Sequence, residues 1–500
     1  MSKQTGSGRK LISNSIIYSV CGLLQKCFSF FLLPLYTAYL TTEDYGTTSI
    51  ASSFVGTLVI IAAFSLYYAV SRFYVELKQD KEKLKRFYGS VLTFAFLSCL
   101  IIGIILTVFR GVLTQFIFAG IDYYPFILIC LLQVLFNCQH TIHTYILQSQ
   151  QRAMKSSILG LICFFVTIGL NILFVVVMKM GATGVQLASV ITSLLYTIYF
   201  WIDMGRRNEI TVCLDFPLLK EALKYSIPLM PHNLSTQIAQ LVSRVLIGGA
   251  GALGDVVIYS IAAQFGNIAD TLQSYVDSAY GPWLYEKLHA QEQGYKSTIK
   301  QAAGLLAAVI GFFMLGIALF AQDYILLFVD KSFASAWRYV PWIVLVFAVK
   351  TMYYFYVEVL FFHKKASKLL FTATLTGSIV NVIVSAILIP LWGVYGSIAA
   401  DGIAMVLRVG IVVFISTRFE NVGLKVFDFI KNFFTVAVFV FIGLAPSYLY
   451  FQDVFSIQNF LFKVLVVLAY VSVQLFLYRK TVGRFGKAIL LKIRNRKKAN

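Results

Sequence analysis

Charge is scarce in this chain. Only 13% of its 500 residues are Asp, Glu, Lys or Arg, while 59% are hydrophobic. So little charge cannot coat a water-facing surface, which excludes a soluble globular fold. Acidic residues are fewest, 22 against 42 Lys and Arg. The seven cysteines (Cys21, Cys27, Cys99, Cys130, Cys138, Cys163, Cys213) show no CxxC spacing. That excludes a disulfide framework and a thiolate metal centre, and the cysteines read as small buried apolar residues. No Walker-type GxxxxGK[ST], HExxH or GxSxG pattern occurs, so ATP hydrolysis on this chain is not expected, and neither is a metal or cofactor.

What is present is a series of apolar stretches, each about 20 residues long, the length that crosses a bilayer. Fourteen are expected, near 13–38, 47–70, 88–109, 124–147, 157–178, 184–203, 222–248, 255–279, 302–321, 339–362, 369–389, 394–417, 432–450 and 457–478. The fold class that follows is an all-α polytopic membrane protein. With the N-terminus in the cytoplasm, 33 of the 42 Lys and Arg fall on the inner side and four (Arg110, Lys179, Lys331, Arg338) on the outer. The positive-inside rule then places both termini in the cytoplasm. The net charge of +20 sits mostly in short loops and the basic tail, where it reads as an orientation signal and an anionic-lipid contact, with no nucleic-acid partner. The first apolar stretch is too long for a signal peptide and lacks a small-residue cleavage site, so it is expected to stay as the first span.

The two halves repeat. Asp44 to Phe54 (DYGTTSIASSF) and Asp255 to Phe265 (DVVIYSIAAQF) agree at five of eleven positions, 211 residues apart. GATGVQLASV from Gly181 matches GVYGSIAADG from Gly393, and Asn171 and Asn381 recur just before them. Six spans per copy is an even number, so the copies share one orientation. Parallel repeats of this kind put a transport site between two bundles near the bilayer midplane. The expected organisation is a six-helix lobe over 1–210, a second over 211–420, and 421–500 carrying spans thirteen and fourteen with the basic tail.

An ionisable side chain at mid-membrane costs about 2.5–3.5 kcal/mol on insertion scales, so those present should face a cavity or a partner. Span seven carries Asn233, Gln237, Gln240 and Arg244 at steps of four, three and four, one polar stripe on one helix face. Span eight carries Gln264, Asn267, Thr271, Ser274 and Ser278, with Asp270 and Asp277 beside them. These stripes read as cavity lining; interhelical hydrogen bonding with an Arg244–Asp270 pair is the competing reading. Lys26 has no acidic residue in its own span, so its counter-charge must come from another helix or a ligand. Arg72, at the cytoplasmic end of span two, is either a ligand contact or a snorkelling cation. Asp401 and Arg408 share a face of span twelve, Lys350 and Glu358 lie on span ten, and Lys463 is expected to reach the outer headgroups. Pro228, Pro231 and Pro282 mark bends. His140 and His143 have no further ligands, so they read as a packed pair rather than a metal site.

The segments KYSIPLMPHNLSTQIAQLVSRVLIGGAGALGDVVIYSIAAQF and PLYTAYLTTEDYGTTSIASSF, with the paired GxxG blocks, resemble Wzx-type polysaccharide flippases of the multidrug/oligosaccharidyl-lipid/polysaccharide exporter superfamily. The resemblance covers nearly the whole chain and implies two six-helix lobes around a central cavity, with spans thirteen and fourteen forming a groove for a polyprenyl tail. It also implies movement of an undecaprenyl-diphosphate-linked oligosaccharide across the bacterial cytoplasmic membrane by alternating access. Lys26, Arg244 and Arg72 would then meet the diphosphate, and Asn233, Gln237, Gln240, Gln264 and Asn267 the glycan. Asp270, Asp277 and Asp401 are the candidates for ion coupling. Membrane lipids and other polysaccharide-assembly membrane proteins are the partners implied. Where many relatives carry Asp before the span-seven arginine, this chain has Ser243. Rival readings are a peptidoglycan lipid-precursor flippase and a multidrug antiporter of the same superfamily. A membrane-embedded glycosyl-transfer enzyme is disfavoured, because the longest outer segment, near 322–338, is too short for a catalytic domain.

Overall fold

The computed structural model describes residue 30 and residues 32–499, except 119, 251–252 and 364–368; the side chains of 232, 235, 236, 250 and 480–499 also lie outside the description. Among the described residues there is no strand, and ten helices are long and apolar enough to cross a membrane. The chain is an all-α polytopic membrane protein. It divides into two compact units: one takes in the chain up to Val257 together with Val382–Ser397, the other Ile258–Asn381 and the chain from Ile398.

In the first unit, α1 (Thr42–Ala62) begins with a reciprocal cap. Thr41 Oγ1 accepts from the Asp44 amide at 3.1 Å and donates to the Asp44 carboxylate at 2.7 Å. The same carboxylate accepts from the Ala182 amide at 3.0 Å, so it satisfies the first turns of two helices. The expected span 47–70 does not run straight. A turn at Ala63–Ser65 separates α1 from α2 (Leu66–Leu77), with Phe64 (φ 48) and Ser65 (φ 53) both in the left-handed region. α3 (Lys81–Val108) is capped by Asp80, and α4 (Leu128–Ser149), α5 (Ala153–Asn171) and α6 (Gly181–Arg206) follow. A short α7 (Phe216–Ser226), capped by Asp215, turns through Ile227–Leu229 into α8 (Met230–Ala250), where Pro228 and Pro231 sit at the bend. α8 packs on α1, and α4 packs on α1, α2, α3 and α6. Burial separates core from rim: 78% of the apolar window of α1 is buried against 11% for that of Ala153–Val177. α1 is therefore held by protein, while α5 offers its side chains to lipid.

The second unit is built from most of α9 (Leu253–Ala290), α10 (Tyr295–Phe328), α11 (Val340–Phe362), both ends of α12 (Leu370–Phe419), α13 (Val426–Leu449) and α14 (Ile457–Ala499). α10 packs against α11, α13 and α14. The two spans expected at 369–389 and 394–417 are two helical stretches that meet at a kink at Gly393 (φ 55, ψ −128), three residues after Pro390. Gly181, its counterpart in the first half, has φ 56. Only glycine adopts these angles without a steric penalty.

Within segment 322–338, α10 continues to Phe328 and a 3₁₀ helix covers Lys331–Arg338. One expectation is corrected here. Lys463 does not reach outward to headgroups. It is fully buried, with Nζ 2.7 Å from Asp323 and 2.8 Å from Gln322. The ion pair lets the end of α10 bury a carboxylate that would otherwise have to meet water.

Candidate functional site

α8 supplies the polar wall of a cavity of about 370 Å³ in the first unit. Asn233 and Gln237, one turn apart, join Gly56 of α1, Tyr67 and Tyr68 of α2, and Thr141 and Tyr145 of α4. The ring centroids of the tyrosines lie 4.7 Å (67–68), 4.9 Å (67–145) and 5.5 Å (68–145) apart, a three-ring cluster. Gly56 makes room for Gln237, whose side-chain oxygen would lie 3.3 Å from a Cβ there. Asn233 Nδ2 donates to Ser65 Oγ at 3.4 Å, which ties α8 to the left-handed turn between α1 and α2. Amides beside aromatic rings can hydrogen-bond hydroxyl groups and cover the apolar face of a ring at the same time.

The remainder of the stripe continues along α8. Arg244 Nε donates to Ser49 of α1 at 3.0 Å, and its guanidinium also reaches the Gln240 carbonyl at 3.4 Å. Gln240 is half-buried on the same helix. Ser243, at the position where an acid was anticipated from the resemblance, is 1% exposed. A carboxylate there would be buried, so the serine avoids that desolvation. Arg72 lies apart from this cavity: it pairs with Glu76 at 3.4 Å and stacks 4.5 Å from the Tyr225 ring centroid. Lys26 lies outside the described residues.

In the second unit the three aspartates anticipated for ion coupling fall in separate clusters. Asp270 accepts from Lys350 at 2.6 Å and from the Tyr354 hydroxyl at 2.9 Å. Asp401 accepts from Asn381 Nδ2 at 2.7 Å and from the Tyr259 hydroxyl at 3.3 Å. Asp277, Gly281 and Tyr285 lie on one face of α9, opposite Glu358 of α11; Tyr285 donates to Glu358, and a Cβ at Gly281 would collide with the Glu358 carboxylate. Asp277 Oδ1 is buried with no hydrogen-bond partner. Gln264 is half-buried with an unpartnered Oε1, and Asn267 is exposed. Arg408 donates to Ser378 at 3.1 Å. His143 bonds the Tyr196 hydroxyl at 2.8 Å and stacks on Phe200, while His140 stacks on Tyr196, so both are packed side chains. Among the described residues no cluster of three or more His, Cys, Asp or Glu could hold a metal ion.

Sequence reasoning reached Asn233 and Gln237 through their helical spacing but missed the tyrosines opposite. Tyr67 and Tyr68 adjoin in sequence at the end of an apolar run, and nothing local distinguishes them from the other 27 tyrosines. Ser65 was missed for a different reason: no glycine or proline marks its turn.

A family model described as "Polysaccharide biosynthesis protein" matches residues 11–287. An "Uncharacterized membrane protein" of Haemophilus influenzae is 23% identical over 370 residues, 73% of this chain and 87% of that protein. Among solved structures, the lipid II flippase MurJ in an inward closed conformation has a TM-score of 0.70 at 16% identity, covering 93% of this chain and 100% of that one. The MATE multidrug transporter DinF-BH, in complex with R6G, has a TM-score of 0.62 at 18% identity, covering 83% and 97%. At these identities the likeness is one of fold.

Proposed function

Because this chain belongs to the polysaccharide biosynthesis protein family, we propose that it is a flippase that moves an undecaprenyl-diphosphate-linked oligosaccharide across the bacterial cytoplasmic membrane for cell-surface polysaccharide assembly. The observation that carries this reading is the cavity in which Asn233 and Gln237 face Tyr67, Tyr68 and Tyr145. A glycan needs amides for its hydroxyls and ring faces for its apolar sides, and a multidrug site has less use for a paired amide wall. Arg244, two turns along the same helix from Gln237, supplies fixed positive charge for a diphosphate in a low-dielectric setting. Lys26 and Arg72 are assigned the same role, with Gln240, Gln264 and Asn267 as further glycan contacts.

In the proposed cycle two six-helix lobes, 1–210 and 211–420, alternate in access while spans thirteen and fourteen accompany the lipid tail in the bilayer. Both termini face the cytoplasm, and other polysaccharide-assembly membrane proteins are the proposed partners. Of the coupling candidates, Asp270 is engaged by Lys350 and Asp401 by Asn381, which leaves Asp277, beside Glu358, as the group best suited to take up and release a proton. Buried carboxylates also favour a second reading, a cation-coupled multidrug antiporter; a lipid II flippase would share the cationic contacts.

The test is movement of a purified lipid-diphosphate oligosaccharide across proteoliposome membranes. Replacing both cations (Lys26→Ala, Arg244→Ala) should slow movement by roughly 100-fold or more while membrane insertion stays normal, since each lost charge-assisted contact is worth about 1.5–3 kcal/mol. Unchanged movement rejects the diphosphate assignment, and no movement by wild type would turn the question to drug efflux.

A further inference from the structure

The cavity of the first unit is polar without being charged. Among the described residues, every polar side chain that lines it is an amide, a phenol or an aliphatic hydroxyl: Asn233, Gln237, Tyr67, Tyr68, Tyr145 and Thr141. The rest of its lining is Gly56 and two aliphatic side chains of α1.

The four helices that supply these groups keep their charges elsewhere. α4 has no Asp, Glu, Lys or Arg, and its two histidines are packed against Tyr196 and Phe200. On α1 the acids Glu43 and Asp44 are confined to the first turn. Asp44 lies about 18 Å along the axis from Gly56, at 1.5 Å per residue, and its carboxylate is engaged by Thr41 and Ala182. On α2, Arg72 stands a turn beyond Tyr68 but pairs with Glu76 and lies over the Tyr225 ring. On α8, Arg244 is about 10 Å along the axis from Gln237, bonded to Ser49.

That separation decides what can enter. A neutral sugar exchanges its hydrogen bonds with water for bonds to amides and hydroxyls, and lays its C–H face on a tyrosine ring. A sugar carboxylate would give up its hydration with no cation to replace it, beside ring faces whose quadrupole is negative. At about 370 Å³ the cavity is at the small end of the range for ligand sites, with room for about one or two sugar rings.

We propose that this cavity selects electrically neutral sugars, hexoses and N-acetylhexosamines, and excludes uronic acids from the ring that occupies it. The inference rests on the glycan reading above and names the class of sugar which that reading leaves open. Thr141 is the position best placed to change the selectivity: it borders the cavity, and its hydroxyl bonds within its own helix, to the Asn137 carbonyl at 2.8 Å.

The test is binding, at neutral pH, of three soluble trisaccharides to the full-length detergent-solubilised protein, read by native mass spectrometry. They differ at one ring: glucose, glucuronic acid, or glucuronamide, which keeps the acid's shape without its charge. Wild type should bind the glucose and glucuronamide forms alike, and both roughly tenfold more tightly than the glucuronic acid form. Thr141→Lys should reverse that order by supplying the missing cation. Gln237→Lys should shift it the same way, and because the acid-to-neutral ratio is read within each variant, a general loss of affinity does not mask the result. Equal binding of acid and neutral forms, glucuronamide bound as poorly as the acid, or an unchanged ratio in both lysine variants would overturn the proposal. So would a wild type that binds none of the three. A neutral preference in binding with no movement of lipid-linked glycan in proteoliposomes would leave the selectivity standing and reject the flippase reading.

Discussion

A lysine sealed inside a bilayer protein survives only with a carboxylate beside it, and Lys463 has Asp323 at 2.7 Å. Gln322 and Asn459 complete the network: Asn459 Nδ2 donates to Gln322 Oε1 at 3.3 Å and to Ser447 at 3.0 Å, while Gln322 Nε2 donates to the Phe451 carbonyl at 2.6 Å. Removing one partner strands the other, at a cost of about 3–5 kcal/mol. Lys463→Met should therefore lower the melting temperature of the detergent-solubilised protein sharply, while Lys463→Met with Asp323→Leu should recover most of the loss. Equal melting of the single and double variants would show that the pair is not what holds α10 to α14. This pair was not legible in the sequence. Its members lie 140 residues apart, and Asp323 falls just past the end of an apolar run, where water is the ordinary expectation. Arg244, by contrast, was legible because its companions recur at helical spacing on the same segment, and a periodic signal needs no knowledge of distant partners. At the tyrosine cavity the same logic predicts that Tyr145→Ala slows glycan-lipid movement more than it slows a lipid diphosphate bearing a single sugar. Equal slowing in paired proteoliposome assays would remove the ring cluster from glycan recognition.

Helix placement was legible because span length and apolar content are set by the bilayer itself. Where a helix breaks depends on packing as well as on composition. Gly393 and Gly181, with φ 55 and 56, were marked by sequence as the openings of matching blocks, since only glycine enters those angles cheaply. The break at Phe64 and Ser65 carried no such mark: two side-chain-bearing residues hold left-handed angles there because the surrounding helices and the Asn233 contact over-determine them. Glycines near these elements thus differ in what they tolerate. A Cβ at Gly396 would sit 2.2 Å from the Leu388 carbonyl oxygen, and backbone cannot move aside as a flexible side chain can. At Gly103 of α3 a Cβ meets nothing within 4 Å. Gly396→Ala should destabilise the protein, whereas Gly103→Ala should be neutral or stabilise it by about 0.5–1 kcal/mol through helix propensity. Thermal melting of the two variants side by side checks this, and a loss at Gly103 as large as at Gly396 would refute the close approach.

For the molecule as a whole, direction of transport depends on which face meets the cytoplasm, and the basic residues offer the means to test it. In the fourteen-span arrangement, 33 of the 42 Lys and Arg would lie on one side of the membrane and four on the other, a bias that predicts a single orientation because each cation near a span resists translocation. The 3₁₀ segment Lys331–Arg338 and the exposed Asp453 are expected outside; the turn after Ala290 and the stretch around Lys425 are expected inside. With the native cysteines replaced, single cysteines at Asp453 and Ser332 should react with a membrane-impermeant maleimide on intact cells. Single cysteines at Gln291 and Lys425 should react only after permeabilisation. The reverse pattern would invert the membrane orientation, and with it the proposed direction of transport. Labelling from both sides at every position would mean that dual insertion has overridden the charge bias, and a flippase with one direction of travel could not be built on that arrangement.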